Sequence, residues 1–394
     1  MTQEVKPTIS KLVEMDKDFL KTIVQEAMQQ MLESEMIETL GAEKSERTGL
    51  RRGYRSGYYE RNLVTRVGKI ELRVPQDREG RFSTEIFERY SRSEKALVSA
   101  LVEMYIQGVS TRKIKAITEE LCGHEFSASS VSRMNVKLDQ TLKKFAERPL
   151  EEEYPYVILD ARYERVRSDG IQGSRAVMIA LGINWDGRRC VLGVELANRE
   201  TKTSWKDFLT KLVQRGLRGV EFVVSDDHEG AKSAITKVLT GAVWQRCYVH
   251  FLRNAIDHLP PKVRDECLTE LRWIYERRTL AEARSDLATW LKKWESKHPK
   301  LCDWVEENIE ETFTFFRLPL VHHKHMRSTN LLERLNEEIR RRTHVVRTFP
   351  NDESCLRLVR ALTSEQHEEW QEGSRYINMA LLVEQKKEAL HAVA

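Results

Sequence analysis

With 394 residues, 40% hydrophobic and 32% charged, the chain is long enough for two or three domains with real cores. No window nears the unbroken apolar run of a membrane span, and six scattered cysteines exclude a disulfide framework. Net charge is only +4, but bases gather at 51–69 and 340–347 and acids at 151–154 and 304–311, as solvated faces or contacts with a polyanion would require. The opening MTQEVKPTIS lacks the apolar core of a secretory signal, so a cytoplasmic protein is expected.

Residues 17–40 place Leu20, Val24, Ala27, Met28 and Met31 at helical spacing, which predicts an amphipathic helix with a Met-rich packing face. The Gly, Arg and Tyr-rich stretch 47–61 reads as an extended arm or turn, and the alternation over 63–82 predicts a small hairpin. Residues 91–145 are helical with breaks at Gln107-Gly108, Cys122-Gly123-His124 and Ser127. Ser129, Ser130, Ser132 and Arg133 then lead the last helix, in the grammar of a helix-turn-helix reader whose recognition helix offers its first residues to the major groove. Helical bundles share this rhythm without touching DNA. Arg148-Pro149 and the acidic EEEYP read as a linker.

The middle changes character. Strand-like runs at 157–166, 175–185 and 190–198 are separated by SDGIQGS and DGRR, which suit hairpin turns. A helix (203–217), a strand (220–226), a helix (228–239) and a short strand within 242–250 follow, with further helices to 326. Trp273, Trp290, Trp294 and Trp304 are expected to share the helical cores, and LPP (259–261) to interrupt them. Three antiparallel strands, helix, strand, helix, strand, helix is the element order of the ribonuclease H-like α/β fold.

In that fold the first strand is central and the fourth runs parallel beside it, so Asp160 within VILDARY and Asp226 at the end of FVVSD come to one sheet edge. Two acids held together either split their pKa values or grip a hard cation. A lone Asp at a strand end is more often an Asx turn, and Asp227 could cap the helix that begins near His228. The best source of a third acid is RSTNLLERLNEEIRRRTH (327–344), where Leu332, Leu335 and Ile339 form one stripe and Glu333, Asn336, Glu337 and Arg340 another. Ordinary surface ion pairs also use such offsets.

VILDARYERVR, LGINWDGRRCVLGVEL, RGLRGVEFVVSDDHEGAKSAI, VWQRCYVHFLRN and STNLLERLNEEIRRRTHVVRTFPN, in this order, resemble the Mutator-type bacterial insertion-sequence transposases. The likeness runs from about 45 to 375 and takes in STRKI and SASSVSRM upstream. It implies an Asp-Asp-Glu triad of Asp160, Asp226 and Glu333, with an all-α insertion between the last two. It also implies two Mg2+ ions per site, with Mn2+ able to substitute, cleavage at element ends, and transfer of the 3′-OH into target DNA. The family commonly has a small residue where this chain has Asp227, and physics alone does not separate Asp226 from Asp227.

The resemblance further implies double-stranded DNA as partner, both terminal inverted repeats and target, and at least a homodimer to bring two ends together. Nucleoid association on DNA follows. Cys247-x-x-His250 resembles the family's cysteine–histidine signature and is expected, with Asn330 and Asn336, to support the site. With His322, His323 or His325 the pair could instead complete a zinc set. Arg340, Arg341, Arg342 and Arg347 are expected on phosphates beside the scissile bond, Arg51, Arg52 and Arg55 in a groove-lying arm, and Arg112, Lys113 and Arg133 in the helical reader.

The expected organisation is an N-terminal helix (1–45), a DNA-binding region (46–148), a catalytic domain (149–250 and 327–375), an all-α insertion (251–326) and a C-terminal tail (376–394). A metal-dependent nuclease of the same fold, and a DNA-binding regulator with an inert domain, are the competing readings.

Overall fold

Alternating residues between Arg55 and Asp77 form a hairpin, β1 (Arg55–Thr65) paired antiparallel with β2 (Gly68–Asp77). The computed structural model describes residues 9–393, apart from 47, 50, 66–67, 85, 87–94, 108, 110, 123–130, 132–134, 136–137 and 169–170. It divides into two units, Met1–Leu138 and Asp139–Ala394.

In the first unit the inner hairpin face, Leu63, Ile70, Leu72 and Val74, packs with Val24, Met28 and Leu32 of α1 (Ile9–Leu40). The i, i+4 stripe Val24–Met28–Leu32–Met36–Leu40 therefore faces inward, whereas Leu20 and Met31, 49% and 55% exposed, do not. Periodicity found the helix but mixed two apolar stripes. Gln29 fastens it, its amide donating to the Arg73 carbonyl (2.8 Å) and accepting from the Arg73 N–H (3.0 Å).

The expected arm is corrected in part: its second half, from Arg55 on, is strand, because the hairpin starts at Arg55 rather than near 63. Helices α2 (Lys95–Ile106) and α3 (Thr111–Cys122) supply Leu101 and Ile114 to a small core with Val64 and Val131. Arg133, the leading serines and the side chain of Arg112 lie outside the described residues; Lys113 is exposed on α3.

The second unit opens with α4 (Asp139–Glu147) and a five-stranded sheet in the order β5-β4-β3-β6-β7. Strands β3 (Tyr156–Ser168), β4 (Ile171–Ile183) and β5 (Arg189–Ala197) are antiparallel, and β6 (Phe222–Ser225) and β7 (Val243–Arg246) run parallel to β3. The strand order and directions agree with the sequence expectation. The first turn is shorter than SDGIQGS suggested, since Ser168 ends β3 and Ile171 starts β4. At the second, Gly187 has φ 75° and abuts Ile377, whose carbonyl oxygen a Cβ would overlap.

Helices α5 (Lys202–Gln214) and α6 (Glu229–Val238) cover one sheet face, where Trp205, Phe208, Leu209 and Ile235 meet Val157 and Leu159. Trp205 and Trp244 both belong to this core. After β7 the chain is helical: α7 (Tyr248–Ile256), α8 (Arg264–Ile274), α9 (Leu280–Trp294), α10 (Pro299–Asn308) and α11 (Leu320–Met326), then α12 (Asn330–Val346), α13 (Asp352–Glu372) and α14 (Ala380–Val393).

Three expectations need correction here. Trp290 and Trp294 are buried but Trp273 is 58% exposed, so it shares no core. The supposed linker is packed: Leu150 and Tyr154 are buried, and their N–H groups donate to the carbonyls of Arg215 (2.7 Å) and Arg218 (3.1 Å). The supposed tail buries Ile377, Met379 and Leu382 and ends in α14. Apolar residues in these segments had neighbours that no local pattern announces. Among the described residues, no helix is long and apolar enough to cross a membrane.

Candidate active site

The pairing of β3 with β6 sets Tyr156 against Phe222, Val157 against Val223 and Ile158 against Val224. Continued by two residues, this register brings Asp160 level with Asp226; alternation turns Asp160 toward the face opposite α5 and α6, and Asp226 lies near enough to act on its charge. Asp160 is 8% exposed. Burial, with the nearby Asp226 and Glu333 and against the opposing pull of His250, pushes its carboxyl up to about 7.

The two adjacent aspartates have different partners. Asp227 pairs with Arg246 Nη2 at 2.9 Å, and Arg246 is itself buried, bonded to Asn308 (3.1 Å) and flanked by Phe251 and Trp304. Asp226 instead acts on Asp160 and Glu200, and its carboxylate accepts a local turn bond from the His228 N–H (3.2 Å). The cap expected of Asp227 falls instead to His228, whose Nδ1 accepts from the Gly230 N–H at 3.1 Å. Glu200 also faces Asp226; burial first, then Asp226, raises its carboxyl, while Trp205 Nε1 donates to it at 3.1 Å.

Helix α12 crosses this face in a register set by alternate residues of β3. Asn336 Nδ2 donates to Asp160 Oδ2 at 2.8 Å, Arg162 donates to the Asn336 carbonyl, and Thr343 Oγ1 donates to Glu164 Oε1 at 3.1 Å. The buried stripe Leu332, Leu335, Ile339 seats the helix, leaving Glu333 one turn before Asn336 and half-buried.

Cys247 joins the pieces. Its N–H donates to the Ser225 carbonyl at 2.7 Å, beside Asp226, and its Sγ accepts from the N–H and hydroxyl of Thr329 at 3.3 and 3.4 Å, where α12 begins. It also starts α7, whose next turn presents His250 and Arg253. His250 Nδ1 is buried without a hydrogen bond among the described residues, and the adjacent Cys247 acts on the ring. Burial would lower His250, but Cys247, Asp160 and Asp226 outweigh it and raise it to about 9; reciprocally, burial lifts the Cys247 thiol and His250 more than offsets that.

Glu333 Oε1 lies 3.0 Å from Arg253 Nη2 and 3.8 Å from His250 Nε2. Among the described residues, no three His, Cys, Asp or Glu side chains stand together so as to hold one metal ion. The zinc alternative finds its histidines committed elsewhere: His322 to Tyr156 (2.7 Å) and Asn378 (2.8 Å), His323 to the Leu318 carbonyl (2.9 Å), and His325 against Tyr376.

Of the arginines expected on DNA, Arg340 and Arg347 are exposed, Arg341 pairs with Glu338 at 2.8 Å, and Arg342 lies 3.9 Å from the same acid. In the first unit Arg52 is exposed, Arg51 donates to the Glu43 carbonyl (3.0 Å), and Arg55 is held by Glu33. Asn330 is exposed at the start of α12, and its N–H meets Ser328 Oγ at 3.4 Å. Sequence reasoning missed Arg162, Glu164, Arg246 and Arg253. The alternation Asp160-x-Arg162-x-Glu164 and the three-residue step from His250 to Arg253 were the available signals.

A polar, carboxylate-bearing face on a mixed sheet marks the candidate site, and comparison with known proteins supplies the family. The family model described as Transposase, Mutator family, matches residues 2–373. The chain is 66% identical over 377 residues to the transposase for insertion sequence element ISRM5 of Rhizobium meliloti (strain 1021), covering 96% of this chain and 95% of that one. It is 44% identical over 342 residues to the transposase for IS406 of Burkholderia multivorans (strain ATCC 17616 / 249), covering 86% and 88%. Against the transposase for IS256 in transposon Tn4001 of Staphylococcus aureus it is 40% identical over 365 residues, covering 92% and 93%. The chain belongs to the Mutator family of transposases.

Proposed function

We propose that this transposase binds the terminal inverted repeats of an insertion sequence, cleaves DNA at the element ends and transfers the freed 3′-OH into target DNA. Asp160, Asp226 and Glu333 are its catalytic carboxylates, on a ribonuclease H-like domain with an all-α insertion, and the first unit carries a helix-turn-helix-type reader. The observation that carries this reading is the parallel β3–β6 register, which brings Asp160 level with Asp226 on the face that α12 crosses. The order of antiparallel and parallel strands supports the fold class.

The donor set fits Mg2+, a hard cation that takes oxygen ligands. Three acids share one electrostatic neighbourhood, and Oδ1 of the half-buried Asn336, beside Asp160, has no hydrogen-bond partner among the described residues. Two divalent ions bound there would activate the attacking oxygen and steady the leaving one during in-line displacement. The chain's own groups position the parts. Asn336 fixes the Asp160 carboxylate and Cys247 ties the Asp226 loop to the start of α12; Arg340 and Arg347, which are exposed, would neutralise phosphates in this reading.

In the first step water attacks the phosphorus at the element end, loses a proton, and displaces the 3′-oxygen, which leaves protonated. That 3′-OH then attacks a target phosphorus, forming one P–O bond as another breaks, with its proton passing to the departing oxygen. Two ends must meet, so a homodimer is the smallest working assembly on DNA.

Purified protein incubated with a labelled element end, Mg2+ and a target plasmid tests this. End joined to plasmid is expected. Nicked ends with no joined product would favour a nuclease instead, and binding with neither product would favour a regulator.

A further inference from the structure

Arg253 has no part in the roles assigned so far. It follows His250 by three residues on α7, so both side chains share one helical face, and both approach the same oxygen of Glu333. The Arg253 side chain is 58% exposed and Glu333 25% exposed, so the pair sits at the mouth of the site rather than in its core. Such a pair is weak and easily exchanged. A guanidinium prefers a phosphate's paired oxygens when one is offered. Glu333 is meanwhile committed to α7, and no three-acid group is assembled among the described residues.

We propose that Arg253 is an exchangeable counter-ion that couples DNA arrival to completion of the metal site. Without DNA it holds Glu333. A backbone phosphate entering beside the scissile bond takes the guanidinium, and the released carboxylate turns to join Asp160 and Asp226. Arg253 is thus a positioning residue, and the inference rests on the carboxylate reading above.

The test uses the full chain, Mn2+ as probe, and a duplex carrying an element end. In the absence of DNA, Arg253→Ala should bind Mn2+ about two- to fivefold more tightly than the parent, the factor an exposed ion pair is worth. With Glu333→Gln already present, Arg253→Ala should add nothing. Duplex should tighten Mn2+ binding by the parent but not by Arg253→Ala. The slope of log affinity for duplex against log salt should shrink by about 0.9, as for one lost phosphate contact. Unchanged Mn2+ affinity in Arg253→Ala, with Asp160→Asn abolishing binding, overturns the counter-ion role alone. If Asp160→Asn also leaves Mn2+ binding intact, the carboxylate reading falls and this proposal with it.

Discussion

The two faces of strand β3 are built on opposite principles. Val157 and Leu159 point into an apolar core with Trp205 and Phe208, where many small contacts add up and no single one is special. Asp160, Arg162 and Glu164, on the other face, each meet α12 through one directed bond. The first face makes the sheet stable; the second sets where a helix-borne carboxylate lies relative to a strand-borne one. Substitutions should therefore separate stability from chemistry according to face.

The largest separation is expected at the site. Asp160→Asn or Asp226→Asn should lower strand cleavage by about 10^3-fold or more while binding to element ends and the folded state persist, as gel shift and circular dichroism would record. Loss of the fold in Asp160→Asn would break the contrast. Trp205→Ala, on the apolar face, should cost about 3–5 kcal/mol in urea unfolding, because a large side chain is removed from a packed interior.

The neighbouring aspartates sharpen the comparison further. Asp227→Asn should leave cleavage within about tenfold of the parent but cost about 2 kcal/mol of stability, since the buried Arg246 loses its closest acid and retains Glu311 only at 3.8 Å. If Asp227→Asn abolished cleavage and Asp226→Asn did not, the assignment of the two would be reversed.

Protonation should matter on the polar face. The Asp160 carboxyl is raised to about 7, so metal-free protein gains stability from the protonated acid below the ordinary carboxylate range and loses it as pH climbs through about 7. Binding of a divalent ion must expel that proton, so affinity should rise by up to about tenfold per pH unit and level off above about 7. Asp160→Asn should remove the unfolding trend. The smallest effect is Thr343→Val, which leaves Glu164 its bond from Arg162 and should cost about 1 kcal/mol.

Much of the polar face could be read before any coordinates, for a physical reason. A β-branched run that stops on acids, followed by a helix, has few arrangements, and parallel pairing of two such strands brings their ends together. The approach of Asp160 to Asp226 was legible on that ground, whereas the stripe only made Glu333 one candidate among the acids of its helix and the family resemblance singled it out. What stayed hidden depends on partners remote in sequence. Nothing near Arg55 indicates Glu33, and nothing around Asp227 indicates that a buried arginine at the end of the next strand would claim it. The same holds for Leu20 and Met31, whose spacing suits burial but whose stripe meets no hairpin.

The sulfur of Cys247 is fully enclosed, yet its proton is held loosely by the charge of His250. An alkylating reagent should find a willing nucleophile only in the moments when α7 lifts away from the start of α12. Its labelling rate is then a clock for the breathing of the whole carboxylate assembly, readable by mass spectrometry with no substrate turned over.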